Sequence, residues 1–387
     1  MPDTFKTKIF SSTQAGSPVL NGVAGSLISL LDAVLVTGFG TTNVTSITVL
    51  NGIATVVFPA SHAFAIDTVA LVAGATPVLL NGEKRVLSRT STGMTYATTA
   101  PNGVATGTIT ARVAPAGWEK LFTAANKACY RSLSPESTKM ILRVDDTGTT
   151  SARVTGYESM TDVDTGTGLF PSIPQIAAPG LWWSKSSGAD TSARKWDMYA
   201  DHMGFYYFPQ NSLSALKQGN YFGDILSNKS NDPYACVLRA FTGDASGSVN
   251  ARTDELVYHD GGIVMGGLYM ARASHSLGGS DRVFSCLTVI SGVPINNFIG
   301  AIGFPFPSPV DNGLHLYRLQ IHNPTHGVRG YFPGIQGSNQ LVNAAFNDND
   351  VVLGTGSMVG TKVLACGFGA TVGRAMLFVS HTEDWRV

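Results

Sequence analysis

Residues 46–58 read SITVLNGIATVVF, two runs of alternating apolar and polar residues on either side of Asn51-Gly52. Alternate side chains of a β-strand point to the same face, so each run predicts a strand with one buried face. Asn-Gly between two such runs is a strong signal for a tight β-hairpin, because both residues tolerate a positive φ. The stretch therefore predicts an antiparallel hairpin and indicates a β-rich protein.

The same pattern extends over the residues around this hairpin. Between Thr41 and Val113, short strand-like runs are separated by turn residues, at the spacing of a small sandwich or barrel. We therefore expect residues 41–114 to form a small β module. Its later runs are TVALVAG, KRVLSR, MTYATT and TGTITARV.

Strand-like runs continue beyond Ala114-Pro115-Ala116-Gly117, the predicted boundary of the module. They indicate a larger antiparallel β-sandwich region over residues 115–387, with a division into two lobes as an alternative. Within it, Trp118 to Arg131 is predicted to be a short amphipathic helix, from the spacing of its apolar residues. The predicted fold class is mainly β: a small N-terminal β-sandwich or barrel module, then the larger sandwich region, with one or two short helices near the N-terminal third.

The best helix candidate is GVAGSLISLLDAVLV, residues 22–36. Its apolar residues recur at the spacing of one helical face, and Thr37, Gly38 and Gly40 provide a stop. We expect residues 1–40 to be an N-terminal docking segment that contains this helix. Two interpretations are open: the apolar face packs on its own domain, or it docks onto a partner subunit. The residues of this face are Val23, Leu27, Leu30, Leu31 and Val34.

Charge is scarce in this chain. Of 387 residues, 13% are charged, against roughly 25% in an ordinary soluble domain. A surface with few charges is poorly protected against association, which favours a protein covered by neighbours. The 26 basic and 26 acidic residues cancel without a basic run, so nucleic acid is not an expected partner. Polar residues interrupt the most apolar stretch, 19–36, so we expect no membrane insertion.

Candidate catalytic and metal-binding patterns are weak. The chain contains no G-x-S-x-G, and Pro324 lies between His322 and His326, so the two rings need not share a helical face. Asp162-Val163-Asp164-Thr165-Gly166 has closely spaced carboxylates of the kind that suit calcium, but Ile173 stands where an EF-hand has a glutamate, so a tight turn is favoured. The aspartates at 145–146 are likewise predicted to lie in a turn and to bond their own backbone. The four separated cysteines indicate buried, reduced thiols in a protein that folds in a cytoplasm. We expect no enzymatic activity and no cofactor.

Aromatic residues are densest between positions 182 and 208. Three interpretations are open: they form a core, anchor a protein–protein interface, or provide a platform for a surface glycan. The candidate contact residues are Trp182, Trp183, Trp196, Tyr199, Tyr206 and Tyr207.

Residues 46–113 resemble a small β module that recurs in structural proteins of tailed bacteriophages. Ala65-Ile66-Asp67 departs from this pattern, which usually has Gly-Asp there. In that family such modules are structural and carry no catalytic residue. The matching segments, in order, are Gly52-Ile53-Ala54-Thr55, His62-Ala63-Phe64, Val72-Ala73-Gly74-Ala75-Thr76, Leu80-Asn81-Gly82-Glu83 and Thr106-Gly107-Thr108-Ile109-Thr110.

Residues 115–208 resemble a second group, uncharacterised phage virion proteins. The similarity lies in the order of Ala128-Cys129-Tyr130-Arg131-Ser132, Tyr157-Glu158-Ser159-Met160 and the aromatic strand that follows. The two resemblances imply a virion structural protein that assembles in the host cytoplasm.

We expect this protein in the tail, at the baseplate or tail tip, bound to other virion proteins in a homo-oligomeric ring or trimer. One alternative is a head decoration or minor capsid protein. Another is a receptor module at the tail extremity that binds a host surface glycan.

Overall fold

A computed structural model describes residues 5–175, 181–211, 217–241, 266–286, 288–290, 293–295, 304–342, 344–355, 359–368 and 375–386. Helix α1 (Ser26–Leu31) continues into a π-helical turn (Asp32–Thr37), and 3-10 turns occur at Val78–Leu80 and Ile173–Gln175. The strands are β1 (Lys8–Ser11), β2 (Phe39–Asn43), β3 (Ser46–Leu50), β4 (Ile53–Val57), β5 (Val69–Ala73), β6 (Gly82–Arg85), β7 (Ser88–Arg89), β8 (Gly93–Ala97), β9 (Gly103–Val104), β10 (Thr110–Val113), β11 (Trp118–Ala124), β12 (Lys127–Ser132), β13 (Ile141–Asp145), β14 (Ser151–Tyr157), β15 (Ser159–Met160), β16 (Gly166–Thr167), β17 (Leu181–Ser184), β18 (Trp196–Ala200), β19 (Gly204–Pro209), β20 (Asn220–Asp224), β21 (Leu226–Ser227), β22 (Cys236–Phe241), β23 (Gly266–Met270), β24 (Asp281–Cys286), β25 (Thr288–Ile290), β26 (Val293–Ile295), β27 (Tyr317–Asn323), β28 (Gly327–Gly337), β29 (Val351–Leu353), β30 (Lys362–Phe368) and β31 (Ala375–Ser380).

The predicted hairpin at Asn51-Gly52 is confirmed. Strands β3 and β4 pair antiparallel, and Leu50 lies opposite Ile53 across a two-residue turn. Both turn residues have positive φ, 48° for Asn51 and 78° for Gly52. This is the backbone conformation that matches the right-handed twist of the two strands.

The small module is a β-sandwich, as predicted. One sheet has the order β2-β10-β5-β6 and the other the order β7-β8-β4-β3-β9. Alternate residues of β3 and β4 are buried between the sheets, among them Ile47 and Val56, and Val72 and Ala111 face them from the other sheet. The alternation in the sequence therefore separates an inner, apolar face from an outer face.

The larger region is built from antiparallel strands, which confirms the predicted fold class. One ladder runs β11-β12-β13-β14-β17. A second runs β1-β18-β19-β20-β22-β23-β24-β27-β28-β31-β30-β29. The two ladders meet where β17 pairs with β22, at Trp182 opposite Phe241.

The predicted helix over Trp118 to Arg131 is wrong. These residues form the hairpin β11–β12, closed by a turn at Asn126, which has a φ of 54°. The register shifts between Lys120 and Phe122, so Leu121 and Phe122 are both half-buried although they are adjacent. A β-bulge breaks the two-residue period of a strand, and here it produced an apolar spacing that imitates a helix.

The N-terminal segment belongs to the body of the protein. Strand β1 pairs antiparallel with β18, with Lys8 opposite Ala200 and Ser11 opposite Asp197. The Lys8 ammonium donates to the Pro115 carbonyl and pairs with Glu83 at 2.5 Å, so it joins the segment to the module. The part of residues 1–40 that the structure describes therefore docks onto its own chain.

Two hydrophobic cores lie on opposite faces of the central strands β18, β19, β20 and β22. Phe205 and Tyr207 of β19 face one core, which also contains the module and α1. Tyr206 and Phe208 face the other core, which also contains Phe332. A strand that is buried on both faces is apolar throughout, which explains the continuous aromatic run of β19.

The prediction of buried, reduced thiols is confirmed for Cys129, Cys236 and Cys366, which are free and buried. Burial raises the pKa of Cys129 and of Cys366 to about 12, so both are protonated at neutral pH. The side chain of Cys286 lies outside the described residues.

Candidate functional site

The candidate aromatic contact residues are buried within the chain, with one exception. Trp183, Tyr199, Tyr206 and Tyr207 have no exposed surface, and Trp196 is 1% exposed. These residues therefore belong to the hydrophobic core. They form neither a glycan platform nor an interface on the surface of this fold.

The polar ends of these rings bind inside the protein. Trp183 Nε1 donates to the Arg239 carbonyl at 2.9 Å, and the Tyr207 hydroxyl donates to the Ser184 carbonyl at 2.8 Å. The Tyr206 hydroxyl donates to the Pro333 carbonyl at 2.7 Å. Because buried polar groups are expensive to leave unpaired, these bonds fix each ring in one orientation.

Trp182 is the half-buried exception. The guanidinium of Arg153, opposite it on β14, lies 3.7 Å from the centroid of a ring of the indole. This cation–π contact covers one face of the ring, which is then not available for stacking on a sugar.

The apolar face of the helix candidate is covered by the chain itself. Leu27, Leu30, Leu31 and Val34 have no exposed surface, while Val23 is 42% exposed. The first four belong to the same core as the module. The interpretation in which this face docks onto a partner is therefore replaced by packing on its own fold.

A buried aspartate holds the start of α1. Asp146 Oδ2 accepts hydrogen bonds from the backbone N–H groups of Leu27 at 2.8 Å and Ile28 at 3.2 Å. Its other oxygen pairs with the ammonium of Lys185, and both side chains are fully buried. The self-bonded turn predicted at positions 145 and 146 is correct for Asp145, which accepts from Thr147, and wrong for Asp146.

The other aspartate turn is confirmed. Asp162 accepts from the N–H of Asp164 at 2.8 Å, as in an Asx-turn. Asp164 pairs with Lys127 and Arg143, which hold the pKa of its carboxyl below the usual range. These two cations occupy the carboxylate oxygens that a calcium ion would need.

His322 and His326 lie in different surroundings. The ring of His322 is buried beside Phe284, and that of His326 is exposed beside His275. Among the residues that the structure describes, no three His, Cys, Asp or Glu side chains are placed to hold a metal ion. Within the same part of the chain, no helix has the length and apolar character needed to cross a bilayer.

A cleft of about 450 Å³ opens beside the end of β20. Asp224 lies in it and accepts twice from Thr138, from the backbone N–H at 2.7 Å and from the hydroxyl at 2.5 Å. Burial raises the pKa of Asp224 to about 6. Asp232, also in the cleft wall, pairs with Arg329 at 2.8 Å. These two buried carboxylates are thus bound by groups of the protein itself.

One exposed surface of the described residues is the outer face of the small module. We define the outer face as the solvent side of the sheet β7-β8-β4-β3-β9, a part of the chain that the structure describes throughout. Its most exposed apolar side chains are Val104, 68% exposed, and Leu50, 63% exposed. No charged residue belongs to it. Its residues are Ser46, Thr48, Leu50, Ile53, Thr55, Val57, Ser88, Gly93, Thr95, Ala97 and Val104.

The strand register arranges the outer face in rows. One row crosses all five strands in the order Val104, Thr48, Thr55, Thr95 and Ser88. The hydroxyls of Ser88 and Thr95 are 2.7 Å apart. This row is a strip of hydroxyl and methyl groups across the centre of the face.

On one side of this row, Leu50, Ile53 and Ala97 form a second row across three strands. On the other side lie Ser46, Val57 and Gly93. The outer face is therefore aliphatic on one side of a central strip of threonines and carries one aliphatic side chain, Val57, on the other.

The module is attached to the body through other parts of its surface. Glu83 and Arg85 of β6 bind Lys8 and the Thr7 carbonyl, and Asp67 pairs with Lys362 at 2.9 Å. These contacts come from the sheet behind the outer face and from its neighbouring loop.

Sequence reasoning identified the strands of the outer face but passed over the face itself. The signal was present, because the solvent-side positions of 46–57 are Ser46, Thr48, Leu50, Ile53, Thr55 and Val57. An ordinary solvated sheet face carries polar and charged residues at such positions.

Neither a protein-family model nor a curated protein matches this chain, so the resemblance to phage proteins stays a prediction.

Proposed function

We propose that this chain is a structural component of a tailed-phage particle and works through protein–protein contacts rather than covalent chemistry. We place it in the tail, at the baseplate or tail tip, as a subunit of a symmetric oligomer. The observation that carries the proposal is the uncharged outer face of the small module. The resemblance of that same module to phage structural modules supplies the kind of particle.

The outer face has the properties of a contact surface. Exposed aliphatic side chains such as Leu50 and Val104 are stabilised when a partner removes them from water. Protein surfaces that stay solvated usually carry interspersed charges that oppose association, and the outer face has none. Burial of the outer face against a partner is sufficient to account for the proposed structural function.

The head alternative, a decoration or minor capsid protein, would use the same outer face, so only location separates it from the tail. The glycan-receptor alternative rested on the aromatic cluster, whose rings are buried or, at Trp182, covered by Arg153. No observation on the described residues favours it over a structural role.

Two measurements on purified phage particles test the proposal. Quantitative gel staining should find the chain in many copies per particle, and immunogold labelling should concentrate at the tail end. Label over the head would move the protein to the decoration role. Absence from washed, intact particles would refute a structural function.

A matched pair of variants tests the outer face in the same experiment. Leu50→Glu puts a charge on the outer face, whereas Thr41→Glu puts one on an exposed residue of β2, in the other sheet. We expect Leu50→Glu to lower incorporation into particles at least tenfold while Thr41→Glu leaves it unchanged. Equal incorporation of both would separate the function from this surface.

A further inference from the structure

We propose that the buried side chains of Asp146 and Lys185 condense in the folded chain to form an amide bond, with release of one water molecule. The product is an internal covalent cross-link that forms once in each molecule. This modification goes beyond the proposed function, and neither depends on the other. It is carried by the contact between the two groups, their burial and the backbone donors around the Asp146 carboxyl.

The two reacting groups are already in contact. The Lys185 ammonium donates to Asp146 Oδ1, and Cγ, the carbon atom to be attacked, is bonded directly to that oxygen. Nζ also donates to the Val23 carbonyl at 2.9 Å and to the Gly148 carbonyl at 2.7 Å, which hold it in place. Groups fixed in contact have already lost the freedom of motion that slows a reaction between separate molecules.

Burial favours the uncharged forms that react. Neither side chain has any exposed surface. Desolvation raises the pKa of Asp146 and lowers the pKa of Lys185, so the free energy needed to neutralise the pair is small. A proton that moves along the hydrogen bond from Nζ to Oδ1 leaves an amine and a carboxylic acid. The amine then has the electron pair that an ammonium lacks.

Two backbone N–H groups bind the other oxygen of the carboxyl. Asp146 Oδ2 accepts from Leu27 at 2.8 Å and from Ile28 at 3.2 Å. Negative charge develops on this oxygen when an amine adds to the carboxyl carbon. Fixed N–H donors that already point at the oxygen stabilise that charge, as they do in an oxyanion hole.

The condensation balances within the pair. Nζ attacks Cγ, the C–N bond forms, and an electron pair of the Cγ–Oδ2 double bond moves to Oδ2. A second proton passes from Nζ to Oδ1, the Cγ–Oδ1 bond breaks as the Oδ2 electrons return, and Oδ1 leaves as water. The new carbonyl oxygen keeps its bonds to Leu27 and Ile28, and the new N–H can donate to the Gly148 carbonyl.

A second buried lysine shows what distinguishes Lys185. Burial lowers the pKa of Lys217, but two carboxylates outweigh this effect and raise the pKa overall, so its side chain stays an ammonium. They are Asp197 at 2.8 Å and Asp348 at 2.7 Å. Burial alone therefore does not give a reactive lysine, and Lys217 serves as the control.

The cross-link would join two strand ends of the first ladder. Asp146 follows β13 and Lys185 follows β17, and β14 lies between these strands. The two residues are 39 positions apart in the chain, so the bond closes a loop that remains closed when the protein unfolds. Such a constraint lowers the entropy of the unfolded chain and stabilises the folded one.

Mass spectrometry of the full-length wild type tests the proposal. The protein is kept folded at neutral pH for several days and denatured only for the measurement. Its mass should be lower than the mass of its sequence by one water molecule. A proteolytic digest should contain a branched peptide that includes both Asp146 and Lys185, and its fragment spectrum should place the link at these two residues.

Two variants accompany the wild type. Lys185→Arg should keep the full mass, because a guanidinium stays protonated and does not attack the carboxyl. Lys217→Arg, at the other buried lysine, should lose one water as the wild type does. Circular dichroism checks the folding of both variants, and the branched peptide of the wild type decides the outcome if Lys185→Arg does not fold.

Three results would overturn the inference. The first is a wild type that keeps its full mass throughout the incubation. The second is a folded Lys185→Arg variant that also loses water. The third is a water loss that the digest places at other residues, such as a cyclised aspartate.

Discussion

Asp224 is a carboxyl group placed where ionisation is costly. It is 4% exposed, and its carboxyl oxygens accept only from Thr138, a neutral residue, among the hydrogen bonds of the described chain. Burial is the largest cause that raises its pKa to about 6, against about 3.9 in an unfolded chain. The folded state therefore holds a proton between about pH 4 and pH 6 that the unfolded state releases.

The sign of the pH dependence follows from proton binding. Where the folded state binds more protons, the free energy of unfolding falls as pH rises. Asp224 should thus lower stability by about 3 kcal/mol between pH 4 and pH 7. Asp224→Asn removes this contribution. From pH 4 to pH 7, the urea midpoint of the variant should therefore rise relative to that of the wild type. Glu136→Gln, on the exposed rim of the same cleft, controls for the change in net charge. Plots of urea midpoint against pH that run parallel for Asp224→Asn and the wild type would contradict the prediction.

Asp146 joins three distant parts of the chain. It accepts from the first turn of α1, 119 residues away in sequence, and pairs with Lys185. Asp146→Ala leaves a buried ammonium and two backbone donors without this partner, so we expect a loss of about 3–5 kcal/mol. Asp145→Ala, at the half-buried neighbouring residue, should lower the free energy of unfolding by at most about 1 kcal/mol. Urea unfolding of the two variants measures both losses. Similar losses for both would exclude a specific role of Asp146.

The role of Asp146 shows where sequence reasoning ends at the residue scale. Local patterns correctly predicted the turn bond of Asp145 and four residues of the apolar helical face, but not Val23, which is exposed. The N-cap position of α1, Gly25, has no side chain to cap the helix, and its substitute comes from a distant strand end. Short-range spacing contains no information about such a contact.

At the scale of elements, two glycines explain part of the module's sequence pattern. Gly74, with a φ of 82°, follows β5, and Gly107, with a φ of 112°, precedes β10. A Cβ on Gly74 would lie 2.1 Å from the Thr108 carbonyl oxygen, and one on Gly107 would lie 2.2 Å from the Gly74 carbonyl oxygen. Thr76 and Thr106 exchange two backbone hydrogen bonds beside this crossing.

Gly74→Ala should therefore destabilise the module, because it adds both a left-handed backbone penalty and a backbone clash. We expect at least about 2 kcal/mol from urea unfolding. Gly279→Ala is the control, since a Cβ there meets nothing within 4 Å. A Gly74→Ala variant as stable as the control would show that the two segments separate at little cost.

Elements were predictable where the period was regular. The alternation around Asn51-Gly52 gave both strands and their turn, whereas the bulge between Lys120 and Phe122 turned β11 into an apparent helix. A bulge adds one residue to one strand, and that single residue changes the apolar period. Pairing partners decide such cases, and they are not visible in one segment.

At the scale of the molecule, the central sheet lies between two cores. Sequence alone left the aromatic cluster open between core, interface and glycan platform, because an aromatic run has the same composition in all three. The second layer of strands, β27 and β28, supplies Ile321 and Phe332 to the far side of the central sheet. Burial of the central sheet on both faces depends on the strands that pack against it from elsewhere in the chain.

Trp182 and Trp183 are adjacent on β17. Substituting each of them distinguishes the core interpretation from the interface and glycan-platform interpretations. Trp183 is fully buried, packs against Phe205 and Tyr207 with ring centroids 5.8 and 5.6 Å away, and donates to the Arg239 carbonyl. Trp183→Ala leaves a cavity and removes the hydrogen bond from the indole, so we expect the free energy of unfolding to fall by about 3–5 kcal/mol.

Trp182→Ala should cost only about 1 kcal/mol, since it removes a half-buried ring and its contact with Arg153. Urea unfolding of the two variants measures the difference. Equal, small losses would mean that Trp183 is not enclosed by a second layer, and the aromatic residues would again be available as a surface for a ligand. A large difference would mean that Trp183 belongs to the core, so that a partner is bound by an exposed surface such as the outer face and not by these rings.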